Sequence, residues 1–187
     1  PKVDASAAEE ASAVNVAGGV PPSPESSHAS DGFLDAAALA RVWPPVEWLV
    51  PQLEIGFGRP PLITSDPGAG KTWATQALAL AVASGMPVFG AFPVAGGPHP
   101  VLHVSVDSGV RSTVDRYQKL ARGMGHELEN LPIRVCTATP PFVTPRGEFN
   151  PKAFAAIERD VANRGVKLVI LDSLSTICAG LDENSTE

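Results

Sequence analysis

Apolar positions along the chain come in two patterns that alternate. Short continuous runs of β-branched and aliphatic residues are followed by longer series at helical spacing. The first run of this kind, Pro61 to Thr64, predicts a strand, and Trp73 to Ser84, apolar nearly all round, predicts a helix covered on both sides. Gly85 is placed to cap that helix, and Pro87 stops it from continuing. Val101 to Val106 then reads as a strand and Val110 to Met124 as a helix. Leu131 to Cys136 reads as a strand nearer an edge, because Pro132 cannot donate to a ladder. Asn150 and Pro151 supply an N-cap and a first-turn proline for a helix over Lys152 to Asn163, with Phe154, Ile157 and Val161 on one face. Four consecutive apolar residues, Leu168 to Leu171, close the series as a strand expected to be buried on both faces. Strand and helix in this order predict an α/β fold, a three-layer α/β/α sandwich around a mostly parallel sheet.

Ahead of this core the pattern fades. Residues 1–31 are rich in Ala, Ser, Pro, Gly and Glu and hold too little apolar surface to offset their ordering entropy, which predicts a disordered tail. From residue 32 to residue 187 the composition is that of a folded domain. Phe33, Leu34, Ala38, Leu39 and Val42 recur at helical spacing up to Trp43 and the Pro44-Pro45 stop. Val46 to Val50 and Leu53 to Gly56 then lead to the first core strand. Trp43 and Trp48 fit packing of the helix layer better than stacking on a base.

Composition narrows the classes further. In 187 residues, 44% hydrophobic content suits one domain with a sizeable core. A formal charge of −6 gives no global basic field, so nucleic acid would have to meet a local patch or an assembled ring. No run approaches the ~20 apolar residues of a bilayer crossing, and no signal pattern opens the chain. The two cysteines, Cys136 and Cys178, share no close spacing with each other or with a histidine. They are expected as buried thiols in a reducing cytoplasm, with no metal site of their own.

The chemistry gathers at Ser65-Asp66-Pro67-Gly68-Ala69-Gly70-Lys71-Thr72, between the first strand and the first long helix. Glycines at 68 and 70 let successive amide N–H groups turn into one concavity, and the following helix adds the positive end of its dipole. The backbone from Asp66 through Trp73 would cradle phosphates, Lys71 would reach the β- and γ-phosphates, and Thr72 would ligate Mg²⁺. This is a nucleoside triphosphate site of the Walker A pattern, with Ser65 in place of the first glycine.

Two carboxylates stand where a parallel sheet places ligands, at the carboxyl ends of strands. Asp107 follows Val101 to Val106. Asp172 follows Leu168 to Leu171 in a Walker B arrangement and would hold the metal beside Thr72. His103, inside a strand, is expected to be a core residue. Arg111, Arg116, Lys119 and Arg122 form the basic cluster of the chain, read as a solvated helix face with an Asp115–Lys119 pair.

With these residues in place, the chain resembles the RecA-like P-loop ATPases of AAA type, and among them the RepA-like hexameric replicative helicases. The likeness rests on SDPGAGKT, VLHVSVDSGVRSTVDRYQKLA and KLVILDSLSTICAGLDENSTE. It implies ATP and Mg²⁺ as ligands, a homohexamer, single-stranded DNA as a partner, and a cytoplasmic place of action. It also implies that Asp107 stands where relatives carry a glutamate that polarises the attacking water. An aspartate is shorter by one methylene, roughly 1.5 Å. Relatives continue with further strands, one between the two Walker strands, and with a trans-acting arginine. The chain also begins without Met, so it is expected to be a fragment, incomplete at its C-terminus. The acidic-Asn run Leu181 to Ser185 is similar to a segment that follows Walker B in these proteins.

Two functions of different class follow. One is an ATP-hydrolysing motor, with Lys71 and Asp107 as catalytic residues. The other is a nucleotide-binding switch or interaction module with weak hydrolysis. A small-molecule P-loop kinase fits less well, since no arginine-rich lid is evident.

Overall fold

A computed structural model describes residues 36–42 and 44–178. The predicted tail over residues 1–31, together with Phe33, Leu34, Trp43 and the Leu181 to Ser185 run, lies outside the described residues. Compactness divides the chain at Pro44/Pro45. The described part of the first unit contains one short helix, α1 (Ala36–Leu39).

The second unit opens with a hairpin that the sequence reading did not foresee: β1 (Trp48–Val50) pairs antiparallel with β2 (Ile55–Gly56). A 3-10 turn over Pro51–Leu53 joins them, and Glu54 closes it in the left-handed region at φ 52°. Trp48 explains Gly56, since a Cβ there would come within 2.8 Å of the indole Cε3. The Arg59 guanidinium lies 5.9 Å from the same ring.

The core sheet has three parallel strands in the order β4-β3-β5: β3 (Val101–Ser105) at the centre, β4 (Ile133–Cys136) on one side and β5 (Leu168–Asp172) on the other. α2 (Lys71–Ser84) precedes β3, and α3 (Val110–Met124) and α4 (Pro151–Arg164) connect the strands in turn. A short helix, α5 (Leu174–Ile177), follows β5. Strand alternation sorts the side chains into two cores. Val101 and Ile170 face Leu78 and Val82 of α2 and Tyr117 and Ala121 of α3. Leu102 and Val104 face the other way, toward Ala153 of α4, Phe142 and Ile177. Helices therefore cover both faces, as the three-layer expectation requires.

The termini of these elements follow local rules. The Asn150 side chain accepts a hydrogen bond from the Ala153 N–H at 3.3 Å, and Pro151 begins α4. Gly85 ends α2 in the left-handed region at φ 73°. Burial of Thr75, Gln76 and every residue from Leu78 to Ala83 bears out the expected all-round cover of α2.

Three expectations are corrected. Pro61 to Thr64 forms no strand; the segment is exposed, with Leu62 at 72%. Pro60 and Pro61 bring no N–H to a ladder, and no partner strand lies beside the segment among the described residues. Likewise β5 is not buried on both faces. Only Ile170 is fully covered, and Val169 and Leu171 stay partly open, because β3 is its one neighbour among the described residues. Finally, Cys136 and Cys178 are free but only half-buried, since both sit at ends of elements rather than within them.

Candidate active site

The loop before α2 turns on its two glycines. Gly68 and Gly70 adopt φ of 81° and 92°, a region that favours glycine, and a Cβ at either would meet nothing within 4 Å. Conformation, not crowding, selects them. Gly70 stands at the N-cap of α2, where no side chain caps the helix. The amides of its first turn are thus left to a ligand, with the helix dipole behind them.

Lys71 bends back over this loop. Its Nζ donates to the backbone carbonyl of Ser65, to that of Asp66 at 3.1 Å, and to the Ser65 hydroxyl at 3.3 Å. The residue at 65 therefore contributes its carbonyl, which serine supplies as well as glycine does. Trp73, in the first turn of α2, is exposed at 42%.

At the far end of β5, Asp172 meets α2. The Thr75 hydroxyl, with one proton to give, has two acceptors within reach, Asp172 Oδ2 at 3.4 Å and the Thr72 carbonyl at 3.1 Å. Asp172 is held below the ordinary carboxylate range, chiefly by the facing His103 imidazole and further by the hydroxyls of Thr72 and Thr75, against the opposing effect of burial. Asp172 therefore carries its charge at neutral pH. An ionised carboxylate beside a threonine hydroxyl is a pair of hard oxygen donors of the kind Mg²⁺ takes. The donor set at Thr72 and Asp172 fits that ion.

The structure thus brings Thr72 and Thr75 to Asp172, while the contacts of the Lys71 ammonium are with Ser65 and Asp66. Asp107 lies two residues beyond β3, exposed, with no hydrogen bond or ion pair among the described residues. Sequence reasoning missed Thr75, His103 and Tyr117. His103 was read as a core residue, and it is fully buried, but its neighbours are polar. Nδ1 lies 2.8 Å from the Tyr117 hydroxyl, and Nε2 lies 3.8 Å from Asp172 Oδ2. The signal was present as two polar residues, His103 and Ser105, at inward positions of an otherwise apolar strand.

On α3 the expected Asp115–Lys119 pair forms at 2.7 Å, on an exposed face. Among the described residues no group of three or more His, Cys, Asp or Glu gathers as a metal cluster. No helix among them is long and apolar enough to cross a membrane.

A parallel sheet, a glycine loop leading into a helix, and an acidic strand tip against that helix define the P-loop nucleotide-binding class. A family model described as an AAA domain matches residues 22–187, and the chain belongs to that family of ATP-binding P-loop ATPases. Neither a curated protein nor a solved structure matches the chain.

Proposed function

We propose that the protein binds and hydrolyses ATP in a Mg²⁺-dependent way as a RecA-like ATPase of the RepA-like replicative helicase branch. The observation that carries this reading is the meeting of Asp172 with Thr72 and Thr75 at the start of α2. It puts an ionised carboxylate beside the helix that follows the phosphate loop.

Each residue then has a task. The backbone N–H groups of the loop and first helical turn, from Asp66 through Trp73 but without Pro67, which has none, hold the phosphates, with Ala69 between the turning glycines. Lys71 leaves the Ser65 and Asp66 carbonyls and donates to the β- and γ-phosphates, where negative charge accumulates during transfer. Thr72 and Asp172 would hold Mg²⁺, which would neutralise phosphate charge when bound. Asp107 orients the attacking water. Phosphoryl transfer of this type is mostly positioning and charge stabilisation, so a site of this kind needs no covalent protein intermediate.

A second reading, a nucleotide-dependent switch with slow turnover, is favoured by one observation: Asp107 is exposed and has no partner among the described residues, and its carboxylate is a short one. Single-turnover hydrolysis of the full-length protein with Mg²⁺, with and without single-stranded DNA, separates the two. Stimulation by DNA is expected for the motor, acting as a homohexamer. Tight ATP binding with turnover that DNA leaves unchanged would favour the switch, and no ATP binding would overturn both.

A further inference from the structure

Asp172 is addressed from its buried side by two residues that the proposed chemistry leaves unused. His103 and Ser105 lie on the face of β3 that also carries Ile170 and Asp172 of β5, with His103 opposite Ile170 and Ser105 opposite Asp172 in register. His103 is completely buried, and so is nearly all of Tyr117. The Tyr117 ring meets the imidazole edge-on, with centroids 5.9 Å apart and planes at 68°.

With the imidazole neutral, the donors and acceptors around it pair in one way. The Asp172 carboxylate oxygen that faces the ring is an acceptor. A proton on Nε2 therefore suits the ring atom that faces it, which makes Nδ1 the acceptor and the Tyr117 hydroxyl the donor at 2.8 Å. Burial keeps that hydroxyl protonated, pushing it well above the usual phenol range, with the Asp172 charge adding to the effect. Nε2 has no hydrogen-bond partner among the described residues. Its 3.8 Å to Oδ2 is longer than a formed hydrogen bond, so the contact orients by charge and dipole. Thr75 approaches the same oxygen, Oδ2, while no described hydrogen bond reaches Oδ1.

We infer that Tyr117 and His103 are positioning residues for Asp172: the hydroxyl fixes the imidazole tautomer, and the imidazole and Thr75 together hold Oδ2 so that Oδ1 is presented to the metal of a Mg·ATP complex. This rests on the proposed Mg²⁺-dependent site. It also ties α3 to that site, because Tyr117 is the α3 residue that reaches the Asp172 relay. Residues that orient a metal ligand from behind typically change metal affinity by about 10–100-fold when removed.

The test is a Mg²⁺ titration of ATP binding to the full-length protein, set beside ATP affinity in excess chelator. Tyr117→Phe keeps the ring and its packing and removes only the donor. His103→Leu removes both ring nitrogens, and His103→Gln retains an amide that can donate to Oδ2. Tyr117→Phe and His103→Leu are expected to raise the Mg²⁺ half-saturation roughly tenfold with chelator-phase ATP affinity unchanged, and His103→Gln to recover most of the loss. In an Asp172→Asn background Tyr117→Phe should add nothing. An unchanged half-saturation in a folded Tyr117→Phe protein overturns the inference and leaves the ATPase reading standing. So does an equal loss with and without metal, which marks a general packing defect. A parent protein that binds ATP equally well with and without Mg²⁺ overturns both. Should His103→Leu fail to fold, Tyr117→Phe carries the decision alone.

Discussion

Thr75 Oγ1 and Asp172 Oδ2 lie 3.4 Å apart although 97 positions separate them in sequence. That contact joins the first turns of α2 to the tip of β5. Both anchors are backbone-determined: α2 begins where Gly70 turns the chain, and β5 is held in register by β3 from Val101↔Leu168 to Ser105↔Asp172. The carboxylate is therefore set by the fold rather than by a mobile loop, which is what a metal-binding carboxylate requires.

Lys71→Ala tests the loop directly. Lys71 is partly exposed, and its recorded partners are the carbonyls of Ser65 and Asp66 and the Ser65 hydroxyl, all in an open segment. Its loss should change stability by less than about 0.5 kcal/mol. A charge-assisted hydrogen bond is worth about 1.5–3 kcal/mol, so ATP affinity should fall roughly 10–150-fold. Calorimetric titration beside a thermal melt measures both. Unaltered affinity would remove Lys71 from the site.

Tyr117 gives a pH prediction with its own optical probe, because it is the one tyrosine in the chain. Its acid form is favoured in the fold by burial first and by Asp172 second. The folded pKa lies above the unfolded value of about 10, so this contribution to stability is complete below about pH 10 and is lost as pH rises beyond it, by up to about 1.4 kcal/mol per pH unit. The near-ultraviolet phenolate band should therefore appear only together with unfolding. Phenolate rising near pH 10 in a protein still folded by circular dichroism would contradict the buried hydroxyl.

Two helix-ending glycines should differ in their tolerance. Gly165 ends α4 at φ 60° with nothing within 4 Å of an added Cβ, so Gly165→Ala pays only the left-handed backbone cost of about 1–2 kcal/mol. Gly85 ends α2 at φ 73°, and its Cβ would come within 2.9 Å of Pro98 N and 3.0 Å of Pro98 Cδ. Gly85→Ala should cost roughly a further 1–3 kcal/mol through overpacking against a rigid ring. Denaturant midpoints at constant slope compare them, and equal losses would place Pro98 away from Gly85 in solution.

Much of this was legible in the sequence because the relevant signals are local. Asn150-Pro151, Gly85 and Gly165 end or begin helices by rules that act within a turn, and β3 and β5 announce themselves as apolar runs. What escaped depends on neighbours. Leu62 and Ile63 look like strand residues, but a strand needs a partner at its edge, and Pro60 and Pro61 weaken the one it would offer. Val169 and Leu171 look core-like for the same reason, and their cover depends on what lies beyond the β5 edge. The Asp172–His103–Tyr117 chain joins three elements through side-chain direction, which periodicity marks as inward but does not pair.

Asp107 supplies the sharpest test of the hydrolytic step. It leaves β3 at the carboxyl end of the central strand, exposed and free of protein partners among the described residues, so its side chain can be lengthened without disturbing packing. Glutamate reaches roughly 1.5 Å further with the same charge. Positioning errors of about 1 Å can cost about a hundredfold in rate, so if Asp107 orients the attacking water from slightly too far, Asp107→Glu should raise single-turnover hydrolysis by roughly tenfold or more. ATP affinity should stay the same, because the residue acts on water rather than on the phosphates. Asp107→Asn, which removes the acceptor charge at constant length, should lower the rate. Should both variants hydrolyse ATP at the parent rate, the water is oriented elsewhere, and Asp107 is a surface carboxylate at the end of a strand.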